Sequence, residues 1–195
     1  SGQEAKRKER KMLLENKVCI ITGGNSGVGA ATAKLFATEG ATVVITARRV
    51  DRLEAVAKEI EEAGGRVFAV PTDISKPEDP ERLMETVMEK FGRIDVLINN
   101  AGILEAGLKP IDRFTDEDLD RIIETNEKGT MNCVRAASKR MQQGASIVNL
   151  ASIAGQFGCG GAAYAASKAA IIGVTQPTTL RFAAAGIRCP AICPG

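Results

Sequence analysis

Tyr164 is the only tyrosine in the 195-residue chain, and it stands in the stretch AYAASKAA with Lys168 four positions later. On a helix, positions i and i+4 share a face, so a phenol and an ammonium group can meet there. Such a pair can act as an acid–base device. A free phenol titrates near ~10, and bringing it to neutrality takes about 4 kcal/mol. A cation about 4 Å away supplies about that much where the effective dielectric is near ~20, but only ~1 kcal/mol in bulk water. The pair therefore works only if shielded from solvent. Tyrosine–lysine pairs at this spacing also occur on ordinary helix surfaces, so the surroundings decide their meaning. Ser152, at the end of SIVNLAS, is the next polar group of interest. The chain has no histidine, which removes the commonest general base and leaves such work to other side chains.

The elements that must position these groups follow an alternating pattern. Short β-rich runs stand at residues 18–22, 42–47, 66–70, 94–99, 146–150 and 187–193. Between them lie amphipathic stretches with helix signals: prolines near the start and a glycine at the end of PEDPERLMETVMEKFG, and Thr115 and Asp118 spaced for a capping box. Residues 115–143 hold one or two helices, and residues 162–186 are mostly helical. Strands rich in Val, Ile and Leu, each separated by a helix, predict an α/β fold: a doubly wound parallel sheet with helices on both faces. Ligands of such sheets bind at the carboxyl ends of the strands, where the strand order reverses.

The first strand runs into TGGNSGVG, residues 22–29. Glycines there allow positive φ and close backbone approach to a phosphate, and the helix that follows offers its positive end to the anion. The alternative is a tight strand-to-helix turn with no ligand. The second strand ends ITARR. A carboxylate about 20 residues past the glycines would hold a ribose 2′-hydroxyl, but Arg48 and Arg49 stand there, and Asp51 follows only in the next helix. Guanidinium groups suit a 2′-phosphate and a carboxylate would repel it, so NADP(H) is expected over NAD(H), with Arg48 the nearer to the strand end. The alternative is a solvated arginine pair.

Composition excludes other classes. No apolar run reaches the roughly 20 residues of a membrane span, and the start lacks the apolar core of a secretory signal. Residues 1–11 carry five basic and two acidic groups, a local +3 against +2 for the whole chain. That segment reads as a solvated tail (residues 1–15) or a nucleic-acid-binding arm. No basic stripe interleaved with aromatics follows, so no nucleic-acid partner is expected. Five cysteines at irregular spacings, without a C-x-x-C, argue against zinc or a disulfide framework and fit a reducing, cytoplasmic setting.

Taken in order along the chain, TGGNSGVG, NNAG (99–102), Asn126 within ETNEKGT, Ser152, YAASK and the final ICPG resemble the short-chain dehydrogenase/reductase family from about Asn16 onward. The resemblance implies a Rossmann-like domain at residues 16–195, hydride transfer between NADP(H) and a secondary alcohol or ketone, and a homo-oligomer, dimer or tetramer. It implies that Tyr164 protonates the carbonyl oxygen in reduction, and that Lys168 favours its ionised form and holds the nicotinamide ribose. Ser152 would bind the substrate oxygen, and Asn126 would hold a water that relays protons. Gly23, Asn25, Ser26, Gly27 and Val28 would line the phosphate and adenosine ribose site. Asp73 and Ile74 would meet the adenine, Asn100, Ala101 and Gly102 the ribose side, and Pro194 and Gly195 the nicotinamide. Without that context, Asn126 and Asp73 read as helix and loop caps.

The sequence departs from the pattern in several places. It stops at ICPG, where the family continues for several tens of residues over the substrate, so on this reading the C-terminal lid region is absent. Ser152 and Tyr164 are separated by one position fewer than usual, with a flexible loop between them to absorb the change. Pro177 is expected to kink its helix, and Pro190 to cost a ladder hydrogen bond if its strand is central. A nucleotide-binding module without turnover, or an epimerase or dehydratase of the same family, are the alternatives.

Overall fold

The computed structural model describes residues 12–105, 107 and 109–195. Residues 1–11 of the expected tail lie outside the described residues. Residues 13 and 14 dock on the end of the first helix, where the Leu14 amide donates to the Glu39 carbonyl at 2.9 Å.

The core is a six-stranded, all-parallel sheet in the order β3-β2-β1-β4-β5-β6. The strands are β1 Val18–Thr22, β2 Thr42–Ala47, β3 Arg66–Pro71, β4 Val96–Asn99, β5 Ser146–Leu150 and β6 Ala191–Ile192. Side chains alternate between faces, as strand geometry requires. Ile20, Val44, Leu97 and Ile147 enter one apolar cluster, and Cys19, Ile21, Val43, Ile45 and Ile98 enter another. Both faces are therefore dry. Each fully buried isoleucine or leucine contributes about 1.5–3 kcal/mol relative to exposure.

The helices are α1 Gly27–Thr38, α2 Val50–Glu62, α3 Glu78–Phe91, α4 Asp116–Ile122, α5 Gly129–Ser138, α6 Ala154–Phe157 and α7 Ala162–Ala183. Helix α3 ends where Gly92 takes φ +71°, a left-handed stop that costs other residues about 1–2 kcal/mol. The expected capping box is formed: Thr115 Oγ1 accepts from the Asp118 amide, and the Asp118 carboxylate accepts from the Thr115 amide. Between α4 and α5 the chain runs as a π-helix, Ile123–Lys128.

Helix α7 runs on through Pro177, which is exposed. Two expectations are corrected in detail. The stretch between Ser152 and Tyr164 is not wholly loop, because it holds α6. The sixth strand is shorter than residues 187–193 and lies at the edge of the described sheet. Pro190 still contributes there, because its carbonyl accepts from the Asn149 amide at 3.0 Å. Its missing amide faces the same strand, so one ladder bond to β5 is absent.

Candidate active site

Strand order reverses beside β1, which pairs with β2 on one side and β4 on the other. The carboxyl ends of β1 and β4 are clamped together there. Thr22 Oγ1 donates to the Ile98 carbonyl at 3.3 Å and accepts from the amides of Asn100 and Ala101 at 3.1 and 3.0 Å. The Asn100 side-chain amide donates to the Thr22 carbonyl at 2.9 Å and to the Gly23 carbonyl at 3.3 Å. The glycines make this fit possible. Gly23 takes φ +67°, and a Cβ on Gly29 would lie 2.3 Å from the Gly23 carbonyl oxygen. The turn therefore packs directly on the start of α1. Ser26 caps α1 with no side-chain bond, and no acid stands in its first turn, so its amide end is available to an anion.

This corner opens into a cleft of about 700 Å³. Gly23, Asn25, Ser26 and Val28 form one wall. Arg48, Arg49 and Ile74 form a second, and Asn100, Ala101 and Gly102 a third. Asp51 is exposed in the first turn of α2. The hydroxyl of Thr46, also in the lining, is buried without a partner among the described residues. The polar turn, the free helix end and the arginine pair suit a dinucleotide diphosphate and a 2′-phosphate.

Asp73 and Gly27 are not among the residues lining the cleft; Thr72 and Ile74 flank it instead of Asp73. Asp73 Oδ1 accepts from the Ser75 amide at 3.1 Å and from the Ser75 hydroxyl at 2.7 Å, so this carboxylate oxygen caps its own loop. Pro194 and Gly195 lie beside the residue after Ser152. The Pro194 carbonyl accepts from the Ile153 amide at 3.0 Å, and a Cβ on Gly195 would lie 3.7 Å from the Ile153 side chain.

Asn126, Ser152, Tyr164, Lys168, Pro194 and Gly195 are likewise not among the residues lining the cleft; Lys168 and Asn126 approach it at Gly102. Lys168 is buried, and its Nζ donates to the Leu150 carbonyl at the end of β5, at 2.8 Å. Burial pushes its ammonium group below the ordinary lysine value. The same Nζ lies 5.6 Å from the centre of the Tyr164 ring, as the shared helix face requires. A Cβ on cleft-lining Gly102 would lie 3.5 Å from Lys168 Nζ and 3.4 Å from Asn126 Oδ1. Lysine, asparagine and cleft wall therefore converge. Ser152 leads into α6, accepting from the Ala154 amide at 3.1 Å. Helix α6 presses on α7 at the lysine itself: a Cβ on Gly155 would lie 2.9 Å from the Lys168 carbonyl oxygen.

Asn126 sits in the π-helix. Its Oδ1 accepts from the Ile103 amide at 2.8 Å, and its Nδ2 donates to the Ile103 carbonyl at 2.9 Å and to Ser167 Oγ at 3.0 Å. Ser167 in turn donates to the Tyr164 carbonyl at 2.8 Å. The residues flanking the cleft wall are thereby tied to the helix that carries Tyr164. Sequence reasoning missed Thr22, Gly29, Thr46 and Ser167. The two first belong to the motif TGGNSGVG and the last to YAASK, but nothing in their spacing distinguished packing from ligand contact.

Residues 17–195 match the family model described as short chain dehydrogenase. The chain belongs to the short-chain dehydrogenase/reductase family. This short-chain dehydrogenase is 41% identical over 187 residues to the 3-oxoacyl-(acyl-carrier-protein) reductase FabG of Thermotoga maritima, covering 94% of the chain and 75% of that protein. It is 40% identical over 183 residues to a 3beta-hydroxysteroid dehydrogenase of Mediterraneibacter gnavus, covering 93% of the chain and 66% of that protein. A dehydrogenase/reductase from Sinorhizobium meliloti superposes with a TM-score of 0.90 at 34% identity, over 95% of this chain and 74% of the other. A short chain dehydrogenase from Burkholderia cenocepacia, solved in complex with NADP, gives 0.88 at 36% identity, over 93% and 75%. The short-chain dehydrogenase thus shares a Rossmann-like fold with enzymes named as reductases and dehydrogenases, and it is an oxidoreductase of that hydride-transferring class.

Proposed function

We propose that the enzyme reduces a ketone, or oxidises the matching secondary alcohol, with NADP(H). The observation that carries this reading is the convergence of Lys168 Nζ and Asn126 Oδ1 on Gly102, in the lining of a cleft that also carries Arg48 and Arg49. Gly23, Asn25, Ser26 and the amide end of α1 would hold the diphosphate, and the two arginines the 2′-phosphate. When bound, the nicotinamide supplies or accepts the hydride. Tyr164 gives its hydroxyl proton to the substrate oxygen in reduction and takes it back in oxidation. Lys168 stabilises the phenolate between these events, Ser152 donates a hydrogen bond to the same substrate oxygen, and Asn126 holds the route by which the proton is replaced.

The substrate is proposed to be an apolar carbonyl compound. Leu104, Ile111, Phe157 and Ile192 expose apolar surface on segments that follow strands β4 and β5 or lie in β6. Apolar surface on Ile123, Met131 and Leu180 supports a homo-oligomer, dimer or tetramer. All five cysteines are free thiols, which supports a cytoplasmic setting. Among the described residues no helix is long and apolar enough to cross a membrane.

The test is Tyr164→Phe in a screen of ketones with NADPH. Turnover should fall by about 100- to 10,000-fold while NADPH affinity stays within about twofold of the unmodified enzyme, a small change against the tenfold that each 1.4 kcal/mol represents. Unchanged turnover in Tyr164→Phe would remove the proposed proton donor.

A further inference from the structure

Helix α7 starts without any local cap. Its first residues are Gly161, Ala162, Ala163 and Tyr164, and none of the first three has a side chain able to accept from the free amides. An acceptor arrives from 59 positions away. Glu105 is buried at 5% exposure, and its Oε2 accepts from the Tyr164 amide at 3.2 Å. Its Oε1 is buried with no partner among the described residues. No cation pairs with Glu105 among the described residues, and the positive end of a 22-residue helix faces its carboxylate instead.

Gly161 makes the room. A Cβ there would lie 1.1 Å from Glu105 Oε1 and 2.0 Å from its carboxyl carbon. Any side chain at position 161 would evict the carboxylate, because the end of the glutamate is the part free to move.

The loop that carries Glu105 is the one that lines the cleft. Gly102 and Ile103 belong to the lining, and Ile103 is held on both its amide and its carbonyl by Asn126. Two residues later the same loop grips the amide of Tyr164. We infer that Glu105 is a positioning residue: seated in the space left by Gly161, it latches the cleft-lining loop to the first turn of α7 and so fixes Tyr164 relative to the bound cofactor. The inference rests on the functional reading above. Displacing a reacting group by as little as ~1 Å can cost about 100-fold in rate.

The test compares Glu105→Ala, Gly161→Ala, their double variant and Glu105→Gln. With an active carbonyl substrate, Glu105→Ala and Gly161→Ala should each lower kcat by about 10- to 100-fold, with the Kd for NADPH within about threefold. The double variant should be no worse than Glu105→Ala, since both remove the same latch. Glu105→Gln keeps an acceptor for the Tyr164 amide and should retain most of kcat. A kcat for Glu105→Ala within twofold of the unmodified enzyme, or losses that multiply in the double variant, would overturn the inference. If the unmodified chain turns over no carbonyl compound, the functional reading fails, and a second measurement decides the latch. Tyr164 is the only tyrosine and the chain has no tryptophan, so the tyrosine band of the near-ultraviolet circular dichroism reads this residue alone. Glu105→Ala and Gly161→Ala should weaken that band, as the ring loses its fixed seat, and Glu105→Gln should keep it. A band unchanged in Glu105→Ala and Gly161→Ala would overturn the latch independently of turnover.

Discussion

Lys168 Nζ is tied to the carbonyl of Leu150 at 2.8 Å, so the cation of the site hangs from the end of β5, two residues before Ser152. The helix that supplies the lysine and the strand that leads to the serine are joined by this bond and by one from Asn149 Nδ2 to Thr175 Oγ1 at 3.1 Å, which together fix their spacing.

That lysine is costly to the fold. Burial lowers its proton affinity below the ordinary value of 10.5. Between the folded and unfolded values the unfolded chain holds the proton and the folded chain does not. Stability therefore rises with pH through that window, and the cost is fully present below the folded value. Lys168→Met should lower turnover by about 100- to 10,000-fold yet leave the chain at least as stable at pH 7. The stability gain from raising the pH toward 10.5 should shrink in the variant. Thermal melts across pH, run beside turnover assays, check both.

Arg48 and Arg49 predict cofactor choice. Arg48→Ala with Arg49→Ala should weaken NADPH binding by about 10- to 100-fold, the worth of one or two hydrogen bonds to a charged group. NADH binding should change by less than about threefold. Paired fluorescence titrations with the two nucleotides measure the ratio, and an equal loss for both would remove the arginines from the 2′-phosphate.

The glycines of the turn should not be equivalent. A Cβ on Gly29 meets the Gly23 carbonyl at 2.3 Å and Asn100 Nδ2 at 2.5 Å, so Gly29→Ala should cost about 1–3 kcal/mol of stability by overpacking and abolish NADPH binding with it. Gly27, at φ +52°, has nothing within 4 Å of such a Cβ. Gly27→Ala should cost only its backbone strain, about 1–2 kcal/mol. Denaturant melts of the two variants should rank them in that order.

Pro177 sits inside an unbroken helix and faces solvent. It withholds the amide that would bond the Gly173 carbonyl. Pro177→Ala should stabilise the chain by about 2 kcal/mol, a helix-interior gain of ~3 offset by the freer unfolded chain, up to ~1. Chemical denaturation at matched protein concentration checks it.

Much of the fold was legible because its signals are local. Residues 18–22, 42–47 and 146–150 are apolar enough to be buried on both faces, and they form strands with those bounds. Thr115 and Asp118 carry their capping box in their spacing. The ladder at residues 187–193 was overestimated because Pro190 interrupts it, and only Ala191–Ile192 forms the strand. In the candidate site, Gly23, Asn100, Tyr164 and Lys168 could be singled out because each stands in a motif. Glu105 could not, since its partner is the amide of Tyr164, a group that every residue but proline possesses. The bonds of Asp73 Oδ1 to Ser75 also leave no trace in composition or periodicity, since a carboxylate in a loop satisfies nearby amides whether or not a ligand is close.

The π-helix at Ile123–Lys128 also makes this part of the chain sensitive to length. Such a segment is an α-helix carrying one surplus residue, and each α-helical residue turns the chain by about 100°. Loss of any single residue between positions 123 and 128 would let α4 and α5 fuse into one regular helix and would swing one half against the other by that angle. Asn126 would then leave Ile103, Ser167 and the wall at Gly102 together. Many substitutions on the outer face of this segment should be tolerated, but a one-codon deletion should not. The gene would be expected to drift there in letters and hold fast in count.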